Sequence, residues 1–273
     1  MPLIEVVDLA YAYPGEAGKT ILALRGITLQ VESGEHIAII GANGSGKTTL
    51  ARHLNALLLP TSGTVRVAEM DTRDPKHHQQ IRTTVGMVFQ YPEDQMVATV
   101  AEQDVAFGPA NLGLPPEEIH RRVTEALHAV GLWEQRLRPP HMLSAGQMQR
   151  LALAGTLAMR PRCIVFDEST AMLDPLGRRQ VWEITNRLHR EGLTIVSITH
   201  SMEEAASAER VIVMHRGEVV MDGNPPAVFA ERETLRAISL DLPPAARVAD
   251  RLRKVFPGLR KDLLTTNELL SAL

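Results

Sequence analysis

The sequence predicts an α/β fold, in which strands and helices alternate around a mixed sheet and a helical stretch interrupts the strands. Three observations predict it. The apolar run His36–Ile40 ends in a glycine-rich loop and leads into a helical pattern from Lys47. Two further apolar, buried-type strands, residues 163–166 and 193–199, enclose an amphipathic helical stretch at 176–190. Between residues 91 and 160 the strand signals give way to helical periodicity.

The elements follow in order. Residues 3–13 read as a strand. Residues 21–31 alternate apolar with polar, as in Ile27, Leu29 and Val31, which suits a half-buried strand. A helix is expected over 47–58, before Pro60, Ser62 and Gly63 break the chain. Val65 and Val67 mark a strand, and residues 85–89 mark another. Thr99 with Glu102 has the spacing of a capping box. Residues 111–116 read as a loop, and 117–130 as an amphipathic helix stopped at Gly131. A helix over 147–159 precedes the strand at 163. Residues 211–214 and 218–221, joined through Arg216-Gly217, read as a hairpin. After Pro225-Pro226 the pattern is helical to the end. The expected division is a larger α/β domain over 1–230, with its helical subdomain at about 91–160, and a helical extension over 231–273. Arg247, Arg251 and Arg253 of that extension are expected on a solvated face.

Bulk composition narrows the function classes. The 273 residues hold 29 basic and 32 acidic side chains, and no long basic run points to nucleic acid. Aromatic residues make up 4%, too few for base-stacking platforms. The one cysteine, Cys163, allows no internal disulfide and suits a reducing cytoplasm. No run of about 18 apolar residues is present, so a membrane role is expected to come through a partner. Residues 1–12 carry Glu5 and Asp8 without a basic cluster and are not expected to act as a signal peptide.

Gly41-Ala42-Asn43-Gly44-Ser45-Gly46-Lys47-Thr48 fits the G-x-x-x-x-G-K-[ST] pattern, after a strand and before a helix. Glycines let the backbone turn tightly and bring N–H groups to phosphates, and the helix N-terminus adds partial positive charge. Lys47 is expected to reach the β- and γ-phosphates of ATP, with Thr49 beside it, and Thr48 to offer its hydroxyl to Mg²⁺. Residues 162–166 lead into Asp167-Glu168 at a strand end, where ligands bind in open α/β sheets. Asp167 is the expected Mg²⁺ partner and Glu168 the expected general base.

More specific residues identify a family. Leu143-Ser144-Ala145-Gly146-Gln147 resembles the LSGGQ signature of ABC ATPases, with Ala145 where that family has glycine. Phe89-Gln90 resembles its Q-loop and Ala171-Met172-Leu173-Asp174 its D-loop. His200 resembles its switch histidine, and Tyr13 its adenine-stacking aromatic. The resemblance covers residues 3–223. It implies a RecA-like mixed sheet, an antiparallel β subdomain and an inserted helical subdomain. It also implies that two subunits pack head to tail, so that Ser144, Ala145, Gly146 and Gln147 face the ATP bound by the partner. By the same resemblance Gln90 senses the γ-phosphate and Mg²⁺, and His200 steadies the γ-phosphate and the water.

Within that family, Phe89-Gln90-Tyr91-Pro92-Glu93-Asp94-Gln95 and the following residues 99–109 and 111–115 resemble the energy-coupling factor (ECF) and cobalt-importer ATPases. Ala101 and Gln103 are the departures. Residues 168–175 resemble the first of two paralogous ECF ATPases. The resemblance implies an ATP-hydrolysing subunit on the cytoplasmic face of the cell membrane that energises import of vitamins or transition-metal ions. Its implied partners are a second ATPase subunit, a transmembrane coupling protein and a small substrate-binding membrane protein. A heterodimer is the expectation and a homodimer the alternative. The rival functions are the ATPase of a conventional ABC transporter and a soluble ABC ATPase. His77-His78 lacks metal-ligand spacing and reads as solvated loop, and Cys163 reads as buried and inert.

Overall fold

The structure, a computed structural model, describes residues 1–15, 19–260 and 262–273. Strands β1 (Ile4–Pro14) and β2 (Thr20–Val31) form an antiparallel pair in which Ile27, Leu29 and Val31 point inward, as their alternation requires. Strand β3 (His36–Ile40) is buried along its whole length, and helix α1 (Lys47–Leu54) follows its loop. The helix stops at Leu54, one turn short of the expected Leu58. Asn55 closes it, and its side-chain carbonyl accepts from Leu57 N–H in a local turn (3.3 Å). Strands β4 (Ser62–Val67) and β5 (Met70–Asp71) complete a four-stranded sheet in the order β2-β1-β4-β5. His77 ends a single 3₁₀ turn and His78 opens α2 (His78–Thr84), so the two histidines are helical and not a solvated loop. His78 bonds through Nε2 to the Thr72 carbonyl.

Strand β6 (Val85–Val88) begins the excursion into three helices, α3 (Ala101–Asn111), α4 (Pro116–Ala129) and α5 (Ala145–Ala158). The Thr99–Glu102 capping box is not formed. Val100 is the N-cap of α3 and has no side-chain acceptor, while Asp104 inside the first turn accepts instead from Val97 and Ala98 N–H. The box stands one element later. Ser144 accepts from Gln147 N–H and Gln147 accepts from Ser144 N–H, which starts α5 at Ala145, ahead of the expected 147. Helix α4 keeps its expected place. Pro116, Glu117 and Glu118 suit its positive N-terminus, and Gly131 follows its end at φ 67°.

The chain returns through β7 (Cys163–Asp167), α6 (Pro175–Arg190), β8 (Thr194–Ile198), α7 (Met202–Ala206) and the hairpin β9 (Arg210–His215) and β10 (Glu218–Gly223). The second sheet has the order β10-β9-β3-β8-β7-β6. Its strands run parallel except β10, which pairs antiparallel with β9. Strands β3 and β7 are buried throughout, and apolar except for His36 at the start of one and Asp167 at the end of the other, because both faces of a parallel sheet are covered. Register brings three strand ends level: Ile39 of β3 faces Ile198 of β8, and Ile198 faces Asp167 of β7.

Four short helices end the chain: α8 (Pro225–Ala230), α9 (Arg232–Ala237), α10 (Pro244–Leu252) and α11 (Thr266–Ser271). Leu235, Leu240, Leu242 and Ala246 pack in one cluster with Ala38 and Ile40 of β3. Arg247 is exposed, but Arg253 is not on a solvated face. Its side chain is only 17% exposed and pairs with Asp250, which also receives Arg232. Among the described residues no helix is long and apolar enough to cross a membrane.

The helical insertion shares its core with the sheet: Leu127 of α4, Val105 of α3 and Leu151 of α5 cluster with Val88, Ile164 and Phe166. Leu127→Ala, at a fully buried position, is expected to lower unfolding free energy by about 2–5 kcal/mol in denaturant titration.

Candidate active site

The phosphate loop leaves β3 at Ile40 and is held from both sides. A Cβ on Gly41 would lie 2.3 Å from the Met214 carbonyl oxygen. Gly46, at φ 103°, is the N-cap of α1, and a Cβ there would lie 2.8 Å from the Ala23 carbonyl oxygen. Only glycine fits such approaches. No side chain caps α1, and its first turn carries no acidic residue, so its leading N–H groups and its dipole suit an anion. Asn43 and Gly44 are exposed on the loop, while Ser45 and Thr49 are buried.

Lys47 is buried against its own loop. Its ammonium donates to the carbonyls of Gly41 (2.9 Å) and Ala42 (3.2 Å) and lies 3.9 Å from Glu168 Oε1. Burial pulls its pKa below the ordinary lysine value, while the Glu168 and Asp167 carboxylates pull the other way. Thr48 Oγ1 donates to Asp167 Oδ1 at 2.8 Å. Burial raises the Asp167 carboxyl above its ordinary 3.8, and the Glu168 charge adds to that. The Thr48 hydrogen bond opposes it, with weaker help from Arg52 and Lys47.

Glu168 follows Asp167 in the left-handed region, φ 52°, and its N–H donates to the Ile198 carbonyl (3.0 Å). A non-glycine residue held there costs of order 1–2 kcal/mol and marks a position set by its surroundings. Its carboxylate Oε1 lies 2.8 Å from His200 Nε2. The strand ends of β7 and β8 thus bring the expected base and the expected switch histidine into contact, 32 residues apart in sequence.

Tyr13 also reaches the loop helix. Its hydroxyl hydrogen-bonds Thr49 Oγ1 (3.2 Å), and its ring packs edge-on to Tyr11. Gln90 is half-buried just past β6 and its side chain hydrogen-bonds neither Thr48 nor Asp167 among the described residues. Two other glutamines hold that loop. Gln95 accepts from Phe89 N–H (2.9 Å) and donates to the Met87 carbonyl (3.1 Å), and Gln149 donates to the Phe89 carbonyl (3.1 Å). Sequence reading named Gln95 only as the end of the 89–95 stretch, without this role, and did not name Gln149. Their signal was an amide side chain close to the loop and another on the signature helix.

The signature is not brought to this chain's own phosphate loop. Ser144 and Ala145 are exposed, and Ser144 and Gln147 spend their side chains on capping α5. Gly146 instead meets Gly177 of α6, where an added Cβ would lie 3.3 Å from the Gly177 Cα. Asp174 caps α6 by accepting from Gly177 N–H (2.7 Å), so α6 starts directly after residues 171–174 and crosses α5 backbone to backbone at Gly177.

A phosphate loop on a strand-to-helix turn, with an acidic pair and a histidine on the two neighbouring strand ends, defines a P-loop nucleotide hydrolase. Comparison with known proteins places it within that class. Residues 24–171 match the family model described as ABC transporter. The energy-coupling factor transporter ATP-binding protein EcfA1 of Caldanaerobacter subterraneus subsp. tengcongensis is 53% identical over 269 residues, covering 98% of this chain and 97% of that protein. The solved structure of cbiO1 from Clostridium perfringens, part of the ABC transporter complex cbiONQ, superposes with a TM-score of 0.77 at 35% identity, covering 94% of this chain and 99% of that one. The dimeric post-hydrolysis structure of the ATP-binding cassette MJ0796 with ADP and Pi gives a TM-score of 0.74 at 28% identity, covering 81% and 98%. The chain belongs to the ABC transporter ATPases, in the branch of the energy-coupling factor ATP-binding proteins.

An acid with a higher pKa folded than unfolded costs stability once it ionises. That cost is absent below its unfolded pKa and complete above its raised folded one. Asp167→Asn is therefore expected to raise the Tm of the nucleotide-free protein at neutral pH. The gain should shrink as pH falls towards about 4. Calorimetry across pH reads this, and ATP hydrolysis by the same variant should be lost.

Proposed function

We propose that this chain is the ATP-hydrolysing subunit that drives an ECF-type importer of vitamins or transition-metal ions. The observation that carries the catalytic part is the contact of Glu168 with His200, beside the buried Lys47. ATP phosphates entering the loop offer Lys47 stronger acceptors than the Gly41 and Ala42 carbonyls it now uses, and the uncapped start of α1 adds N–H donors. Glu168 takes a proton from the attacking water, and His200 holds that carboxylate and the γ-phosphate in line. Tyr13 flanks the base of the nucleotide.

The donor set at the strand end suits Mg²⁺. Thr48 supplies a hydroxyl, Asp167 a carboxylate and Gln90 an amide oxygen, all hard oxygen ligands. The Thr48–Asp167 hydrogen bond already holds two of them together. Bound there, Mg²⁺ supplies positive charge against the phosphate oxygens. Among the described residues no group of three or more His, Cys, Asp and Glu side chains could hold a metal by itself, which agrees with a site completed by the substrate's own oxygens.

The exposed Ser144 and Ala145 belong to a second nucleotide, bound by a facing ATPase subunit. This is the arrangement in which the signature and D-loop lie on one surface. The partner is a second ATPase paralogue. The membrane contact lies on the helical side of the sheet, where Val97 and Phe107 are exposed on a groove of about 220 Å³ also lined by Met87 and Gln95, and where Tyr91 is exposed in the preceding loop. A transmembrane coupling protein sits there, places the chain at the cytoplasmic membrane face, and carries a small substrate-binding membrane protein. Residues 1–230 form the nucleotide-binding unit and 231–273 an extension that supports pairing.

Glu168→Gln should cut steady ATP turnover by about 10²-fold or more and leave an ATP-bound dimer stable to gel filtration. An undiminished rate would overturn the assignment. Purification from native membranes in mild detergent should bring down a second ATPase, a coupling protein and a small membrane protein. Recovery with two conventional permeases would move the chain to another transporter class.

A further inference from the structure

Strand pairing sets Asp167 against Ile198, and the last ladder-like bond is Glu168 N–H to the Ile198 carbonyl. Beyond that point the two catalytic segments run into separate loops. Yet the contact between Glu168 and His200 is 2.8 Å and needs both loops fixed. One side chain spans them. Glu204 of α7 accepts from Thr170 Oγ1 on Oε1 (2.9 Å) and from Thr199 Oγ1 on Oε2 (2.6 Å). Thr170 lies two residues after Glu168, and Thr199 lies one before His200.

The circuit is closed on its other side. Thr199 Oγ1 also accepts from Ser201 N–H (2.9 Å), and Ser201 caps α7 by accepting from Glu204 N–H (3.3 Å). Both hydroxyls therefore donate into a carboxylate, the stronger kind of hydrogen bond, and Thr199 is buried. Glu204 is not near the reacting atoms through its own carboxylate, both of whose oxygens are occupied by threonines. Next to it, Glu203 accepts from Thr266 Oγ1 of α11 (3.2 Å), so α7 is braced by the end of the chain.

We propose that Glu204 is a positioning residue for ATP hydrolysis, clamping the loops that carry Glu168 and His200 so that base and histidine meet. The inference rests on the reading of Glu168 and His200 as the hydrolytic pair. It assigns Glu204 no proton transfer, only geometry.

The test uses the assembled transporter, with ATP hydrolysis followed against ATP concentration and melting followed in parallel. Glu204→Ala should lower kcat by about 10- to 100-fold, the scale of a misplacement near 1 Å, with KM and Tm little changed. Glu204→Gln keeps the shape and two polar contacts, to which the threonine hydroxyls can rotate, and should retain kcat within about threefold. Thr170→Val removes one anchor and should fall between the two. The proposal is overturned if Glu204→Ala keeps its kcat, if its loss of kcat comes with an equal loss of Tm, or if Glu204→Gln is as impaired as Glu204→Ala, which would make the charge and not the clamp the active feature. Glu168→Gln run alongside separates the two levels: full turnover in that variant would sink the site assignment itself, whatever Glu204 does.

Discussion

The parallel pairing of β3 with β8 and of β8 with β7 is the constraint on which the rest depends. It sets Ile39, Ile198 and Asp167 level across the sheet. The next residues on each strand are then the phosphate loop, the switch segment and the acidic pair. A slip of one residue in this register would turn every buried side chain of β7 to the opposite face. The unbroken apolar core on both faces of the sheet holds the register. Chemistry at the edge is therefore placed by packing several residues away from it.

On that edge the charges balance one another closely. Lys47 is buried and neutral carbonyls surround it, with carboxylates at longer range. Asp167 is buried with a single hydroxyl donor and a like charge beside it. Each group is left less satisfied than it would be in water; the Lys47 ammonium is opposite in sign to a triphosphate, and the Asp167 carboxylate to a divalent cation that accompanies one. The destabilisation is the counterpart of binding: ligand that repays it stabilises the folded, closed form. Glu168 in its left-handed conformation belongs to the same pattern, a residue held off its preferred backbone by the Ile198 carbonyl and the clamp at α7.

The surfaces divide by role. Exposed Ser144, Ala145, Met172 and Leu176 lie on the side where α5 and α6 cross at Gly146 and Gly177. Exposed Tyr91, Val97 and Phe107 lie by the helical insertion. The loop after β6 joins these regions, and Gln95 and Gln149 pin it to the end of the strand and to the signature helix. The groove beside the helical insertion thus has a short hydrogen-bonded path to the nucleotide edge.

The turn at the phosphate loop, the acidic pair at the end of β7, the serine before α5 and most of the strands were legible in the sequence. Each rests on local chemistry: glycines at a forced turn, carboxylates closing an apolar strand, a serine before a helix. Helix α4 was legible because its cap residues and its amphipathic period agree. The Thr99–Glu102 box was misread because spacing alone cannot say where a helix begins, and Asp104 took over the free N–H groups of Val97 and Ala98. Arg253 was misread although its partner Asp250 is only three residues away; what the sequence hides is that Arg232 of α9 meets the same carboxylate and that the Arg253 side chain is partly covered. The sequence by itself determined the family and which side chains are expected to bind and split ATP. Only the tertiary structure decided that Glu168 meets His200, that Gln95 and Gln149 hold the loop before Gln90's neighbours, and that Glu204 ties two loops together. Glu168 with His200, Gln149 with Phe89 and Glu204 with Thr170 are far apart along the chain, and strand register and helix packing, not local propensity, bring them within hydrogen-bond reach.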